Sequence, residues 1–412
     1  MLKVLRQSWP LLMGVMLLMV GNGVQGSLLG IRGALEGFTT FQLSVVMSAY
    51  FVGFLGGSRL APEMIRRVGH VRVFAALGSL ISAVLVLYPL LVDWQAWSLM
   101  RVLIGFCFSG IYVTSESWLN NTATNETRGQ TLSAYMIVQM LGIIASQGLM
   151  AFGDPNGFAL FIVPSVLVSL AFMPLLLADT PAPTFETIKA MSFRRLFVVS
   201  PLGCVGMLLT GGIFAAMFGM ASVWGAMSAL TISQIAGFVA ALYVGGLALQ
   251  YPIGWLSDRM DRRALVMWLS AIGAVVMLAA TLTRLPFEVY LGVAVLLGGT
   301  INPLYSLLIS HTNDFLTKEE MPAASAGLIF LNGFGAIFGP LVAGWLMGQM
   351  GARGYFLIMA ALFAALAGYA GYRATRRAAP LGGGYAGLNP NASSLAVGAV
   401  LNQSAAEVAG TR

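Results

Sequence analysis

Twelve long apolar runs separated by short polar breaks constrain this 412-residue chain more than any other feature. They lie near 9–31, 41–60, 71–92, 96–119, 130–152, 157–178, 198–223, 231–256, 264–283, 288–310, 323–350 and 354–373. Each is close to the roughly 20 apolar residues that an α-helix needs to cross a bilayer. The fold class that follows is an all-α membrane protein with twelve transmembrane helices. Composition agrees: the chain is 58% hydrophobic and 9% charged, against about 25% charged in a soluble domain, so no large soluble domain fits. Cys107 and Cys204 both fall within apolar runs, where a thiol behaves as a small hydrophobe, and a disulfide framework is excluded. The apolar run after Lys3 and Arg6 continues through Leu29 without a convincing cleavage site, so it reads as a retained first helix rather than a signal peptide.

An even number of spans puts both ends on one side of the membrane. Lys3, Arg6, Arg66, Arg67, Arg72, Arg128, Lys189, Arg194, Arg195, Arg259, Arg262, Arg263, Lys318, Arg373, Arg376 and Arg377 fall on that side, and Arg32, Arg284 and Arg353 on the other. The positive-inside bias predicts cytoplasmic termini in a multi-pass protein of a bacterial inner membrane, and it accounts for the net charge of +7 without nucleic acid.

The longest polar break before the tail runs from Asp179 to Phe197 and predicts a boundary between two halves. The expected organisation is an N-terminal six-helix bundle over 1–178, a cytoplasmic linker over 179–197, a C-terminal six-helix bundle over 198–377 and a disordered cytoplasmic tail over 378–412. The halves are similar to each other. A shift of 192 pairs Gly53 with Gly245 and Arg67 with Arg259, and a shift of 193 pairs Gly105 with Gly298, Tyr112 with Tyr305, Asn120 with Asn313 and Gly142 with Gly335. Parallel repeats of this kind are a transporter architecture with a binding site near mid-membrane between the halves.

The string Gly254-Trp255-Leu256-Ser257-Asp258-Arg259-Met260-Asp261-Arg262-Arg263 closes the eighth span. It resembles the loop signature of the major facilitator superfamily, G-x-L-x-D-R-x-x-R-R, in its second-half copy. Trp118-Leu119-Asn120, Arg128-Gly129 and Gly69-His70 are similar to the bacterial YcaD-like branch. The resemblance implies two six-helix bundles rocking about a central site, spans one, four, seven and ten around the cavity, and a latch at Gly254, Asp258, Arg259 and Arg262 that holds the cytoplasmic side closed in the outward-facing state. The first-half loop departs from the signature: Arg66 stands where Asp258 stands, with Glu63 one turn earlier as a substitute.

Arg101, Gly105, Phe108, Tyr112 and Glu116 step along one face of the fourth span. Arg101 either faces a cavity or snorkels to the nearby edge. Glu116 is the one acid inside an expected span and, about 22 Å of helix from Arg101, cannot pair with it. Arg67, Arg72 or Arg128 are its expected partners in an inner gate, with a proton-carrying role as the alternative. Asn22, Gln25, Asn302 and Tyr305 are the neutral cavity candidates, and Tyr112 and Tyr305 are expected to face each other across the cavity. His311 is expected at the surface. Gly335 and Gly339-Pro340 read as close helix packing.

No metal-ligand spacing, no nucleophile with a base and no phosphate-binding loop is present, so neither an enzyme nor an ATP-driven pump is expected. The function expected is secondary transport of a small organic solute, neutral or anionic, by alternating access. A single chain would act without cofactors, on an ion gradient, with protons preferred. The alternatives are an amphipathic efflux pump, with Phe106, Phe108, Phe214, Met217, Phe218, Met220 and Trp224 as a greasy lining, and a transport-inactive membrane scaffold.

Overall fold

The computed structural model describes residues 2–123, 128–177, 191–283, 285–317, 319–376 and 387–388. Its first half contains α1 (Leu2–Leu35), α2 (Thr40–Val68), α3 (His70–Leu87), α4 (Trp94–Thr122), α5 (Arg128–Phe152) and α6 (Ala159–Ala171), the last extended by α7 (Met173–Leu177). A short α8 (Phe193–Val199) precedes the second half: α9 (Pro201–Met227), α10 (Ile232–Ser257), α11 (Arg262–Leu282), α12 (Phe287–Asn313), α13 (Met321–Met350) and α14 (Arg353–Ala374). Among the described residues, twelve helical stretches are long and apolar enough to cross a membrane, and they match the twelve runs of the sequence. Large apolar side chains such as Leu99, Val275 and Trp345 are more than half exposed, which suits a surface covered by lipid and not by water.

Of the linker expected over 179–197, residues 179–190 lie outside the described residues, whereas Phe193–Val199 is helical. Of the tail, only Gly387 and Leu388 are described. Lys189, Arg284, Lys318 and Arg377, and the side chains of Lys3, Arg6 and Arg128, also lie outside the described residues. The second span runs on to Val68, and Glu63 pairs with Arg66 (2.8 Å) and Arg67 (2.7 Å) one turn further along the same helix.

Helix starts repeat between the halves. The Thr39 hydroxyl accepts from the Gln42 amide (3.2 Å) while the Thr39 amide donates to Gln42 Oε1 (2.8 Å). Thr231 and Gln234 form the same reciprocal capping box at 3.2 and 2.9 Å, at the shift of 192 that aligns the sequences.

Glycines then set the helix crossings. A β-carbon on Gly53 would fall 1.9 Å from the Val102 carbonyl oxygen, and one on Gly105 would fall 1.9 Å from that of Tyr50. The repeat partners Gly245 and Gly298 stand in the same way against Val295 (2.0 Å) and Leu242 (1.8 Å). Thus α2 crosses α4, and α10 crosses α12, backbone to backbone, as small residues allow in membranes. Gly335 and Gly339 bring α13 equally close to α9, at the carbonyls of Leu208 and Gly212, which is the packing role read for them in the sequence.

The face where α1 begins and α14 ends is here called the terminal face. At the opposite face, among the described residues, the halves meet at several points. Gly30 of α1 abuts Ser222 of α9, Gly344 of α13 abuts Ser44 and Thr40 of α2, and Ser233 of α10 donates to the Ala151 carbonyl of α5 (3.3 Å).

Candidate functional site

The reciprocal crossing of α2 and α4 determines where Arg101 goes. Gly105 lies one turn after Arg101 and touches the Tyr50 carbonyl. The crossing therefore lays the guanidinium over the Tyr50 ring, 4.7 Å from its centroid, a favourable geometry for a cation on a π face. Arg101 Nη1 donates to Gln25 Oε1 of α1 (3.1 Å) and Nη2 approaches Met47 Sδ (3.8 Å). Arg101 is 6% exposed, so it is buried and does not snorkel.

Arg101, Asn22, Met47, Tyr50, Phe218 and Tyr243 line a cavity of about 90 Å³ between the halves, with Ser27, Gln147 and Phe214 also on its wall. Ser27 donates to Gln147 Oε1 (2.9 Å), and Gln147 Nε2 donates to Ser146 (2.9 Å), which fixes α1 against α5. Among the described residues no carboxylate pairs with Arg101, and Arg101 Nε is buried without a hydrogen-bond partner. A buried charge without a counter-charge is costly, and so is each orphaned donor, by about 1–3 kcal/mol. The cavity is smaller than the roughly 300–1,000 Å³ of pockets that enclose drug-sized ligands, so a solute of that size requires the halves to part.

The other expected cavity residues are distributed along the axis. Tyr112 is buried, its hydroxyl donating to Met19 Sδ (3.3 Å) and its ring against Phe54 and Phe108. Asn302 donates to its own helix at the Gly298 carbonyl (3.1 Å) and packs on Gly246. Tyr305 is buried with an unpartnered hydroxyl. Glu116 is fully buried on α4. Of its expected gate partners, Arg67 is held by Glu63 instead, Arg72 is exposed, and the Arg128 side chain lies outside the described residues. Of the greasy lining, Phe214 and Phe218 reach the cavity, whereas Met217, Met220 and Trp224 are buried in the second half.

At the terminal face the loop signature ties the second half together. Asp258 caps α10, and Arg262 Nη2 lies 3.9 Å from its carboxylate. Arg262 is buried, donates to Ser257 (3.2 Å) and pairs with Asp314 at the end of α12. Gly254 is buried inside α10, and Arg259 folds back over the Trp255 ring (4.0 Å). Arg262, through Ser257 and Asp314, links α10, α11 and α12 of one half. Asp314 carried no motif of its own and only the three-dimensional packing reveals it. The surface position expected for His311 is overturned: it is 4% exposed, its ring edge-on to Phe315, because α12 continues to Asn313.

Asp261 starts α11 by accepting from the Arg263 amide (2.9 Å) and pairs with the Arg263 guanidinium (2.7 Å), which holds its carboxyl below the usual value of 3.8. A depressed pKa contributes stability above the unfolded value, and that contribution is lost as pH falls through the folded one. Asp261→Asn, which retains a cap, is therefore expected to melt below the parent at neutral pH. The gap should close on the acid side of 3.8, as followed by melting temperature against pH.

Sequence comparisons agree with this architecture. The profile of the Major Facilitator Superfamily matches residues 204–401 and that of the Sugar (and other) transporter family matches 11–182. The MFS-type transporter YcaD of Escherichia fergusonii is 25% identical over 357 residues, covering 85% of this chain and 92% of that one. An MFS-type transporter of Yersinia pestis is 26% identical over 364 residues, covering 85% and 91%. Among solved structures, a variant of the nucleoside transporter NupG superposes with a TM-score of 0.75 at 15% identity, over 89% of this chain and 99% of that one. With both halves matched, the loop signature in place and twelve spans in two similar bundles, the chain belongs to the major facilitator superfamily and is a transporter, not an enzyme.

Proposed function

We propose that the protein is a secondary transporter of a small organic anion, carried by alternating access between its two halves, with the terminal face in the cytoplasm. The observation that carries the choice of an anion is Arg101, buried on the cavity wall with no carboxylate partner among the described residues. NupG shares the fold at 15% identity, a likeness that leaves the cargo open. The aromatic wall of Tyr50, Phe214, Phe218 and Tyr243 suits the organic part of such a solute, and Gln25, Asn22 and Gln147 its polar substituents. A proton gradient is the proposed driving force, with Glu116 as the group that responds to it. Glu116 is the one carboxylate inside an expected span, and carboxylates at membrane depth are the groups that carry protons in pumps and transporters.

The test is uptake by the purified protein in liposomes, with labelled small carboxylates and phosphate esters as probes and an inward-directed pH gradient. Gradient-driven uptake of at least one anion is expected, lost in Glu116→Gln while exchange of labelled for unlabelled anion persists. Uptake confined to cations, or absent for every anion, would contradict the reading.

A further inference from the structure

Two residues of the tail, Gly387 and Leu388, occupy a polar site between α10 and α12 about 10 Å inside the terminal face, judged from the seven residues between Ser306 and the end of α12. The Leu388 amide donates to Ser306 Oγ (2.8 Å), and Ser306 Oγ donates to the Leu388 carbonyl (3.2 Å). Gln250 Nε2 of α10 also donates to Ser306 Oγ (3.1 Å). A hydroxyl has one proton to give and two lone pairs to receive. Ser306 therefore has its full complement of bonds, two of the three with one peptide unit pair of the tail. The Leu388 side chain is 2% exposed within the apolar core, and Gly387 lies against Gln250 so closely that an added β-carbon would fall 3.2 Å from Nε2.

Ser306 belongs to one stripe of α12 with Asn302, Tyr305 and Asn313, which runs from mid-membrane to the terminal face. The Tyr305 hydroxyl and the Asn313 amide are buried on it without partners, the state expected of groups that meet water or solute only when the stripe is uncovered.

We propose that Gln250 and Ser306 form a docking site for the chain's own C-terminal segment, and that Leu388, seated there, closes the route from the cavity to the terminal face. Leu388 is the removable plug. The site recognises backbone amide and carbonyl together with one leucine-sized apolar group. This proposal is independent of the choice of cargo, since its test needs none.

The test uses full-length protein with Cys107→Ser and Cys204→Ser as background. Gly387→Cys with Gln250→Cys is expected to form a disulfide under mild oxidation, because the Gly387 β-carbon position lies 3.6 Å from Gln250 Cγ. Gly387→Cys with Gln234→Cys, at the far end of α10, is the control. In the same background, Asn313→Cys is labelled by a membrane-impermeant maleimide applied from the terminal face. Labelling is expected to rise at least about tenfold when the chain is ended after Arg376 or carries Leu388→Asp. Cross-linking no better than the control would overturn the docking site. Cross-linking with labelling equal in full-length and shortened chains would overturn the closure.

Discussion

Arg101→Ala is expected to bind the transported solute at least about 30-fold more weakly than the parent, the lower end of the 2–5 kcal/mol lost when one partner of a buried charged pair is removed. Stability of the empty protein should move the other way. Arg101 has no carboxylate partner among the described residues and retains an orphaned Nε, so deleting it removes a buried charge that the folded state must otherwise carry. The expected signature is thus weak binding with a melting temperature equal to or above that of the parent. Arg101→Lys should recover little. A point-like ammonium cannot reproduce a planar fork that rests on the Tyr50 ring and reaches Gln25 at once. Equilibrium binding of the labelled solute to purified protein, with thermal melting alongside, reads both quantities. A lowered melting temperature with intact affinity would mean that Arg101 is structural.

The largest stability effects are expected at the repeated glycine crossings. A valine at Gly105 or Gly298 places a β-carbon within 2 Å of a carbonyl oxygen on the crossing helix, which no side-chain rotation relieves. Overpacking typically costs about 1–3 kcal/mol, and a backbone clash belongs at or beyond the upper end. Both variants should lose melting temperature, yet they should differ in function. Gly105→Val pushes Tyr50 away from Arg101 and should also weaken solute binding. Gly298→Val acts on the α10–α12 crossing and should leave the affinity of the surviving folded protein near that of the parent. Gly292→Ala, with nothing within 4 Å of the added carbon, should be neutral or stabilising by up to about 1 kcal/mol from helix propensity. A Gly298→Val protein as stable as Gly292→Ala would contradict the packing described.

Much of this molecule is legible in its sequence, because the bilayer demands a run length that composition cannot hide. The twelve spans follow from that demand, and the paired glycines at shifts of 192 and 193 proved to be contacts between helices. The site was less legible. Arg101 was visible as a charge in an apolar run, but whether it reached the edge or the interior depended on the α2–α4 crossing, which no single segment encodes. Tyr50, Met47 and Tyr243 escaped notice because an aromatic or methionine in a span is ordinary until a cavity opens beside it. Asp314 stood in a polar loop among other acids and acquired meaning only when α12 brought it to Arg262. Gly387 and Leu388 lie in a stretch of Ala, Gly, Ser and Asn whose composition suggests disorder, and their docking rests on one serine hydroxyl more than 80 residues away.

On the proposed function, Arg101 waits in the inter-half cavity for an anion. The most direct measurement is a thermal-shift comparison of the parent and Arg101→Ala across small organic solutes matched in size but anionic, neutral or cationic. A solute that binds the native state raises its melting temperature by mass action. Stabilisation of the parent by one or more anions, abolished in Arg101→Ala, is the expected result. Stabilisation by neutral or cationic solutes alone, or by anions to the same extent in both proteins, would contradict it.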